Sequence, residues 1–215
     1  MTTQRADIDM IRILIVDDHP VVCSGLTSML SEQAGIEVVG SAASGEEALT
    51  IVQRDRPDLI LLDLRMPGMD GIGVLHALKT FEKPPRVMVL TSFEKEEDIY
   101  RAIRAGAQGY LLKDTTESEM IAAISAVNSG KRYIPRHIAA RLADRMMRSD
   151  LTARELQILE LLAQGSTNKE IATSLAISDN TVRHHVNNIM DKLQVSDRTE
   201  AVATAMRSGL LSGLD

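Results

Sequence analysis

The stretch ILIVDDHP, residues Ile13–Pro20, joins an apolar run to two adjacent carboxylates. An unbroken run of Ile, Leu and Val predicts a strand that is covered on both faces, as in a parallel sheet. The carboxylates of Asp17 and Asp18 follow that strand directly. The stretch therefore predicts a buried strand whose carboxyl end carries negative charge.

Further apolar runs of strand length follow in the first half of the chain. The predicted strands are Ile11–Val16, Ile36–Ala42, Asp58–Leu62, Arg86–Leu90 and Gly109–Leu112. Segments of helical spacing separate them, and two of these segments start with capping boxes, which begin at Ser44 and Thr116. This alternation predicts a doubly wound α/β domain with a five-stranded parallel sheet over residues 1–130.

The strand pattern then stops, and the remaining sequence is helical. Residues 131–149 are basic and include a short amphipathic stretch, so we expect a partly helical linker there. Residues 150–215 contain two more capping boxes, which begin at Thr152 and Thr167. We therefore expect a small all-α domain of four helices after the linker.

The composition limits the class of protein. With 44% hydrophobic and 25% charged residues, the chain is typical of a globular protein. Its apolar runs are shorter than a membrane span, and a single cysteine, Cys23, fits a reducing compartment, so we expect a cytoplasmic protein without membrane contact. The net charge is −6, and the part from Asp150 onward has six Lys and Arg against nine Asp and Glu. Affinity for nucleic acid would therefore have to come from local geometry.

Polar side chains stand at the ends of the predicted strands. Asp17 and Asp18 follow the first strand, Asp63 the third, Thr91 the fourth and Lys113 the fifth. Because the carboxyl ends of parallel strands lie at one edge of a sheet, we expect these side chains to converge. Clustered carboxylates favour Mg²⁺, and a carboxylate beside Mg²⁺, a hydroxyl and an ammonium can accept a phosphoryl group. One Asp alone is commonly a helix N-cap, but the whole set indicates a phosphoryl-acceptor site.

Four motifs around these residues are ILIVDDHP (Ile13–Pro20), LILLDLRMPGMDG (Leu59–Gly71), VMVLTSF (Val87–Phe93) and GAQGYLLKD (Gly106–Asp114). In this order they resemble the receiver domain of bacterial two-component response regulators, which has a flavodoxin-like fold. The resemblance implies that Asp63 is the phospho-acceptor. It also implies that Asp18 and Asp63 ligate Mg²⁺ directly, that Asp17 acts through water, and that the Arg65 carbonyl contributes.

The same resemblance assigns the remaining residues of the site. It implies that Thr91 and Tyr110 form a switch pair, that Lys113 binds the phosphoryl oxygens, and that a cognate histidine kinase is the phosphoryl donor. Asp114 follows the lysine where many receivers have proline. A cis bond before a residue other than proline costs about 2.5–4 kcal/mol, so we do not expect one there.

An enzyme is the competing interpretation of this site. A Mg²⁺-dependent phosphohydrolase that forms an aspartyl phosphate needs a second acid/base carboxylate beside the nucleophile. The sequence instead has Arg65 two residues after Asp63, which suits a signal better than turnover. A regulator that acts through protein contacts alone is a further alternative.

The stretch TVRHHVNNIM, residues 181–190, has the apolar spacing of a helix. Its predicted buried stripe is Val182, Val186, Ile189, Met190 and Leu193. His184 and His185 are adjacent and point about 100° apart, so they do not form a paired metal site on a helix. A helix at Thr167–Leu175 and a short turn precede the stretch, which is the helix-turn-helix layout. The alternative interpretation is a plain solvated surface helix.

The segment Leu151–Val202 is similar throughout to the LuxR-type helix-turn-helix domain, and the whole chain resembles the NarL/FixJ class of response regulators. The resemblance implies that Arg183, His184 and Asn187 face the base edges of operator DNA. The residues that it implies for phosphate contacts are Lys169, Thr181, Lys192 and Arg198. We expect such a regulator to bind DNA as a homodimer formed on phosphorylation.

The last predicted helix, Thr199–Ser208, has a stripe of small and apolar residues. They are Ala201, Val202, Ala205 and Met206. This stripe is either a dimer face or a face packed within its own helical bundle.

Overall fold

A computed structural model describes residues 10–92, 95–146 and 150–211. The chain divides into two compact units. The first holds the residues up to 94 together with 98–139, and the second holds 95–97 and the residues from 140 onward. The main division point, between residues 139 and 140, therefore lies inside the predicted linker.

The first unit contains a parallel sheet with the strand order β2-β1-β3-β4-β5. The strands are β1 (Ile11–Val16), β2 (Ile36–Ala42), β3 (Leu59–Leu62), β4 (Arg86–Thr91) and β5 (Gly109–Leu112). The predicted fold class is confirmed. β3 begins one residue later than predicted, and the carboxylate of Asp58, just before it, accepts a hydrogen bond from the Arg12 amide at 2.9 Å.

Five helices alternate with these strands. They are α1 (Pro20–Ser31), α2 (Gly45–Asp55), α3 (Gly71–Leu78), α4 (Glu96–Ala105) and α5 (Glu117–Asn128). On one face of the sheet, alternate strand residues form a core with buried residues of α1 and α5, among them Leu30 and Ile124. The intervening strand residues, such as Leu14 and Ile60, are buried as well. Both faces are therefore covered, as the unbroken apolar runs predict.

Only half of each predicted capping box in this unit forms. Ser44 and Thr116 cap α2 and α5 by accepting hydrogen bonds from the backbone amides of Glu47 and Glu119. The Glu47 carboxylate accepts from the Ala43 amide instead of the cap residue, and Glu119 accepts from the Tyr133 hydroxyl. The predicted helix starts are confirmed. In place of the reciprocal capping-box bonds, the two glutamates accept hydrogen bonds from Ala43 and Tyr133.

Tyr133 extends the sheet beyond β5. Its carbonyl accepts from the Tyr110 amide at 2.9 Å, and its amide donates to the Gln108 carbonyl at 3.0 Å. These bonds pair the start of the predicted linker with the free edge of β5, which satisfies backbone groups that would otherwise be open. The first unit therefore includes residues that the sequence assigned to the linker.

The helices after β5 and α5 are α6 (Arg136–Met146), α7 (Ala153–Ala163), α8 (Asn168–Ser174), α9 (Asp179–Leu193) and α10 (Arg198–Ser208). The last four form the predicted four-helix domain. Thr152 and Thr167 begin complete capping boxes, with both reciprocal bonds present. Buried residues of all four helices form one core, with Ile158, Ile171 and Ile189 fully buried.

α8 and α9 form a helix-turn-helix pair. Ala176 lies in the turn between them and has a left-handed φ of 53°. Ser178 caps α9 by accepting a hydrogen bond from the Thr181 amide at 3.0 Å. Among the helices in the three described ranges, none is long and apolar enough to cross a membrane.

Candidate functional sites

Buried carboxylates lie at the carboxyl edge of the first unit's sheet. Asp17 and Asp63 directly follow β1 and β3, and only 3% and 5% of their surfaces are exposed. The Asp63 amide donates to the Val16 carbonyl at 2.8 Å, and the Asp17 amide donates to the Ala42 carbonyl at 3.0 Å. These bonds continue the sheet ladder past the strands, so both carboxylates are held on rigid backbone.

Lys113 lies between these two carboxylates. Its Nζ is 2.6 Å from Oδ2 of Asp17 and 2.7 Å from Oδ2 of Asp63. Burial lowers the pKa of Lys113, but its hydrogen bonds to Asp17 and Asp63 and their charges outweigh burial and raise that pKa above its ordinary value. The Lys113 ammonium therefore stays charged beside the Asp63 and Asp17 carboxylates.

His19 is a residue of this edge that sequence reasoning missed. Its Nδ1 lies 3.1 Å from Oδ1 of Asp17 and 2.8 Å from Oδ1 of Asp18. One side-chain atom each from Asp17, Asp18, His19 and Asp63 lies within 4.8 Å of all the others. The sequence feature that could have identified His19 is its position directly after Asp17 and Asp18.

The donor set fits a divalent cation. Asp17, Asp18 and Asp63 carry three negative charges, and Lys113 offsets one of them. Oδ1 of Asp18 is buried and has no hydrogen bond with acceptable geometry in the described chain, although the His19 nitrogen is close. A buried carboxylate oxygen without a donor is a ready ligand for a hard cation.

The loop after Asp63 packs tightly against that residue. The Arg65 amide points to Oδ1 of Asp63 at 3.4 Å, and the Arg65 guanidinium donates to Oδ2 of Asp98 at 3.0 Å. Gly71 begins α3, and a Cβ at that position would collide with the carbonyl of Asp63 and with Cα of Leu64. Glycine is therefore required for α3 to start this close to Asp63. The Arg65 carbonyl as a cation ligand remains a prediction.

The predicted switch residues lie in neighbouring strands. Thr91 ends β4 with 1% of its surface exposed, and Tyr110 of β5 is fully buried. The Lys113 amide donates to the Thr91 carbonyl at 2.9 Å, which ties the two strand ends together. The structure thus brings Asp17, Lys113 and Asp63 into contact, while a movement of Thr91 and Tyr110 remains a prediction.

The buried and exposed sides of α9 are those predicted from the sequence. Val182, Val186, Ile189 and Leu193 are buried, Met190 is partly buried, and Arg183, His184 and Asn187 are exposed. Nε of Arg183 lies 2.8 Å from Oδ2 of Asp179, one turn earlier. The predicted base-reading side chains therefore share the solvent face of the second helix of the pair.

The predicted phosphate-contact residues differ in their present partners. Lys169 is exposed at the start of α8, and the Thr181 hydroxyl is 2.7 Å from Oγ of Ser178. Nη2 of Arg198 donates to the Ser166 carbonyl at 2.9 Å. Nζ of Lys192 is 2.7 Å from Oε2 of the buried Glu155, so this lysine also braces α7 against α9.

Glu155 carries a perturbed carboxyl group. Burial raises its pKa, but hydrogen bonds from Lys192 and from Thr152 outweigh burial and lower that pKa below the ordinary value of 4.5. The carboxylate accepts from the Thr152 amide at 2.7 Å as part of the capping box. The buried Glu155 carboxylate thus binds both the Thr152 amide at the start of α7 and the Lys192 ammonium of α9.

The stripe on α10 mostly packs within its own bundle. Ala201 and Ala205 are buried in the core of the helical domain, and Val202 packs against that core. Met206 is 40% exposed. The burial of Ala201 and Ala205 therefore supports packing of this stripe within its own bundle.

Comparisons with known proteins identify the families of the two domains. Residues 13–125 match the response regulator receiver domain, and residues 149–205 match the bacterial regulatory proteins of the luxR family. The chain is 41% identical over 211 residues to the transcriptional regulatory protein LiaR of Bacillus subtilis, covering 94% of this chain and all of LiaR. It is 40% identical over 206 residues to the response regulator VraR of Staphylococcus aureus, covering 94% of this chain and 99% of VraR.

A solved structure agrees with the same assignment. The response regulator ChrA of a heme-sensing two-component system shares 39% identity with this chain, with a TM-score of 0.56, 94% of this chain covered and all of ChrA covered. The chain belongs to the response regulators that join a receiver domain to a LuxR-type DNA-binding domain. Its full-length relatives LiaR and VraR confirm the NarL/FixJ class assigned from the sequence.

Proposed function

We propose that a histidine kinase phosphorylates Asp63 in the presence of Mg²⁺ and that the phosphorylated chain pairs and binds operator DNA to regulate transcription. The observation that carries the proposal is the contact of Lys113 with Asp63 and Asp17 at 2.7 and 2.6 Å. This contact places the Asp63 carboxylate at a strand end beside a positive charge. LiaR is named a transcriptional regulatory protein, which supports the genetic role.

The transfer step needs little from the protein beyond position and charge. An oxygen of Asp63 forms the new bond to phosphorus while the phosphorus–nitrogen bond of the kinase phosphohistidine breaks, and the imidazole nitrogen leaves with the electron pair. Lys113 neutralises negative charge that builds up on the phosphoryl oxygens. Asp17, Asp18, Asp63 and the Arg65 carbonyl would hold Mg²⁺, and the ion would supply a second cationic centre beside Lys113.

The signal then acts on DNA binding through pairing. In this proposal Thr91 and Tyr110 change position on phosphorylation, and two copies of the chain associate. Arg183, His184 and Asn187 meet base edges. The residues proposed to meet phosphates are Lys169, Thr181, Lys192 and Arg198. Because the part from Asp150 onward is net negative, one copy should bind weakly, and two linked half-sites raise the effective concentration.

A selection of genomic DNA fragments tests this proposal. The full chain is incubated with fragments, with and without Mg²⁺ and a small phosphodonor such as acetyl phosphate. We expect enrichment of a limited set of fragments only with the phosphodonor, and loss of that enrichment in Asp63→Asn. Equal enrichment by Asp63→Asn in the presence of the phosphodonor would contradict it.

The same samples separate the two alternatives. A phosphohydrolase would consume phosphodonor continuously, whereas a receiver accumulates at most one aspartyl phosphate per chain. A regulator that works through protein contacts alone would be phosphorylated without enriching any fragment. Either result would replace the proposed function.

A further inference from the structure

His19 occupies the N-cap position of α1 without using its side chain as a cap. Its backbone is extended, with a φ of −97°, and the ring makes no capping hydrogen bond to α1. N-caps are usually Ser, Thr, Asp or Asn, because a side-chain oxygen can accept an orphan amide hydrogen bond. Helix capping therefore does not explain a histidine at this position.

The ring is instead directed at the acidic edge. The His19 amide donates to Oδ1 of Asp17 at 3.0 Å, which fixes the residue beside the pocket. Nδ1 lies 3.1 Å from the same oxygen and 2.8 Å from Oδ1 of Asp18. Nδ1 is thus at hydrogen-bonding distance from Asp17 and close to Asp18, so the ring nitrogen and the carboxylate oxygens face one small volume. The rest of the ring is open to solvent, with 66% of the side chain exposed.

We propose that Nδ1 of His19 is a ligand of the cation at this edge and that it makes the site prefer borderline first-row cations, such as Ni²⁺ or Co²⁺, over Mg²⁺. The inference rests on the cation site of the proposed function and adds a nitrogen donor to it. As a ligand, the ring would bind the cation through Nδ1 and carry its proton on Nε2.

Donor chemistry gives the direction of the preference. Mg²⁺ binds oxygen almost exclusively and tolerates little departure from octahedral geometry. Imidazole suits Ni²⁺, Cu²⁺ and Zn²⁺, and the affinity of mixed nitrogen and oxygen sites rises from Mn²⁺ to Ni²⁺. The oxygen ligands Asp17, Asp18 and Asp63 keep the site able to bind Mg²⁺. Removal of the nitrogen should therefore lower Ni²⁺ affinity and leave Mg²⁺ affinity nearly unchanged.

Calorimetric titration of the tag-free full chain with Mg²⁺ and, separately, with Ni²⁺ measures this preference. His19→Ala removes the nitrogen, and His19→Asn places an oxygen there while keeping a favourable N-cap residue. His76→Ala is the matched control, because His76 is exposed on α3. Competition by Mg²⁺ identifies which part of the Ni²⁺ heat comes from the acidic edge.

We expect His19→Ala to weaken Ni²⁺ binding by about tenfold or more, since even loss of a supporting partner costs about 10–100-fold. Mg²⁺ affinity should change by less than about twofold, and His19→Asn should shift the ratio further toward Mg²⁺. His76→Ala should match the wild type for both cations. Visible absorption of the Co²⁺ complex should also change in His19→Ala and stay unchanged in His76→Ala.

Two outcomes would overturn the inference, and they can be told apart from a failure of the proposed function. If His19→Ala lowers Ni²⁺ and Mg²⁺ affinity equally, or lowers neither, the nitrogen is not a ligand, while Mg²⁺ binding and the phosphorylation of Asp63 still stand. If neither cation binds the wild type and Asp63 is not phosphorylated, the proposed function fails together with this inference.

Discussion

Nζ of Lys113 lies 2.7 Å from Oδ2 of Asp63, and both side chains are largely buried at the carboxyl edge of the sheet. The same ammonium contacts Asp17 at 2.6 Å, so one positive charge is shared by two largely buried carboxylates. Removing one partner of a buried ion pair leaves an uncompensated charge, which is far more costly than losing an exposed pair. We therefore expect Lys113 to stabilise the fold, in addition to the phosphoryl contact proposed for it.

Lys113→Ala should lower the free energy of unfolding of the receiver by about 3–5 kcal/mol in the absence of divalent cations. Millimolar Mg²⁺ should restore part of that loss, because a bound cation compensates the same carboxylates. Urea titration followed by circular dichroism, with and without Mg²⁺, measures both effects. Lys131→Ala, at an exposed lysine, is the control and should change stability by less than about 0.5 kcal/mol. A loss no larger than the control's would count against the buried-pair description.

Gly71→Ala should destabilise the receiver by about 1–3 kcal/mol, because the new Cβ collides with the backbone of Asp63 and Leu64. The shift of the acceptor should also slow its phosphorylation by acetyl phosphate. Gly25→Ala is the matched control, since a Cβ there meets nothing within 4 Å. Within helix α1 it should stabilise by about 0.5–1 kcal/mol. Equal effects of both substitutions would show that the α3 start is not under steric constraint.

The lowered pKa of Glu155 makes the helical domain sensitive to acid. A carboxyl group whose pKa is lower in the folded state stabilises the fold above its unfolded pKa and loses that contribution as pH falls through the folded value. We expect the free energy of unfolding of the domain to decrease once the pH drops below about 4.5, the reference pKa of an unfolded glutamate. Urea titrations by two-dimensional NMR at several pH values would follow the domain's own resonances.

Glu155→Gln should remove part of that acid dependence and cost about 1–3 kcal/mol at neutral pH, because Lys192 loses its charged partner. Glu160→Gln, at an exposed position of the same helix, is the control. Lys192→Ala should produce a similar loss of stability besides any loss of DNA affinity. If both Glu variants keep the wild-type pH profile, the Glu155–Lys192 contact does not control stability.

Arg183→Ala should reduce affinity for a selected fragment by about 1–3 kcal/mol and relax sequence preference at one base position. The physical reason is that an exposed arginine on the groove-facing side can bond a guanine edge with two hydrogen bonds. Lys169→Ala should weaken selected and random fragments alike and reduce the salt dependence of binding. Fluorescence anisotropy at several salt concentrations measures both. Identical behaviour of the two variants would argue against base reading by Arg183.

Local patterns predict most of the fold. Apolar runs fix the five strands within one residue, and four Ser or Thr residues three positions before Glu mark helix starts. Residues that follow parallel strands meet at one edge whatever the loops do, so Asp17, Asp63 and Lys113 could be grouped from sequence. These features depend on neighbours in the chain or on sheet topology alone.

Features that depend on tertiary packing were not predictable. Lys192 pairs with Glu155, 37 residues away, because α7 and α9 pack together. The edge pairing of Tyr133 rests on two backbone bonds and leaves no apolar pattern in the sequence. The direction of the His19 ring is a rotamer choice, and small residues such as Ala201 suit a bundle core and a dimer face equally well.

The most direct test of the account is mass spectrometry of the full chain after incubation with acetyl phosphate and Mg²⁺. We predict one added phosphoryl group per chain, stable in acid and labile in base, that maps to the peptide containing Asp63 and is absent from Asp63→Asn. A phosphoryl group at another residue, or an equal amount in Asp63→Asn, would contradict the central claim that Asp63 is the acceptor.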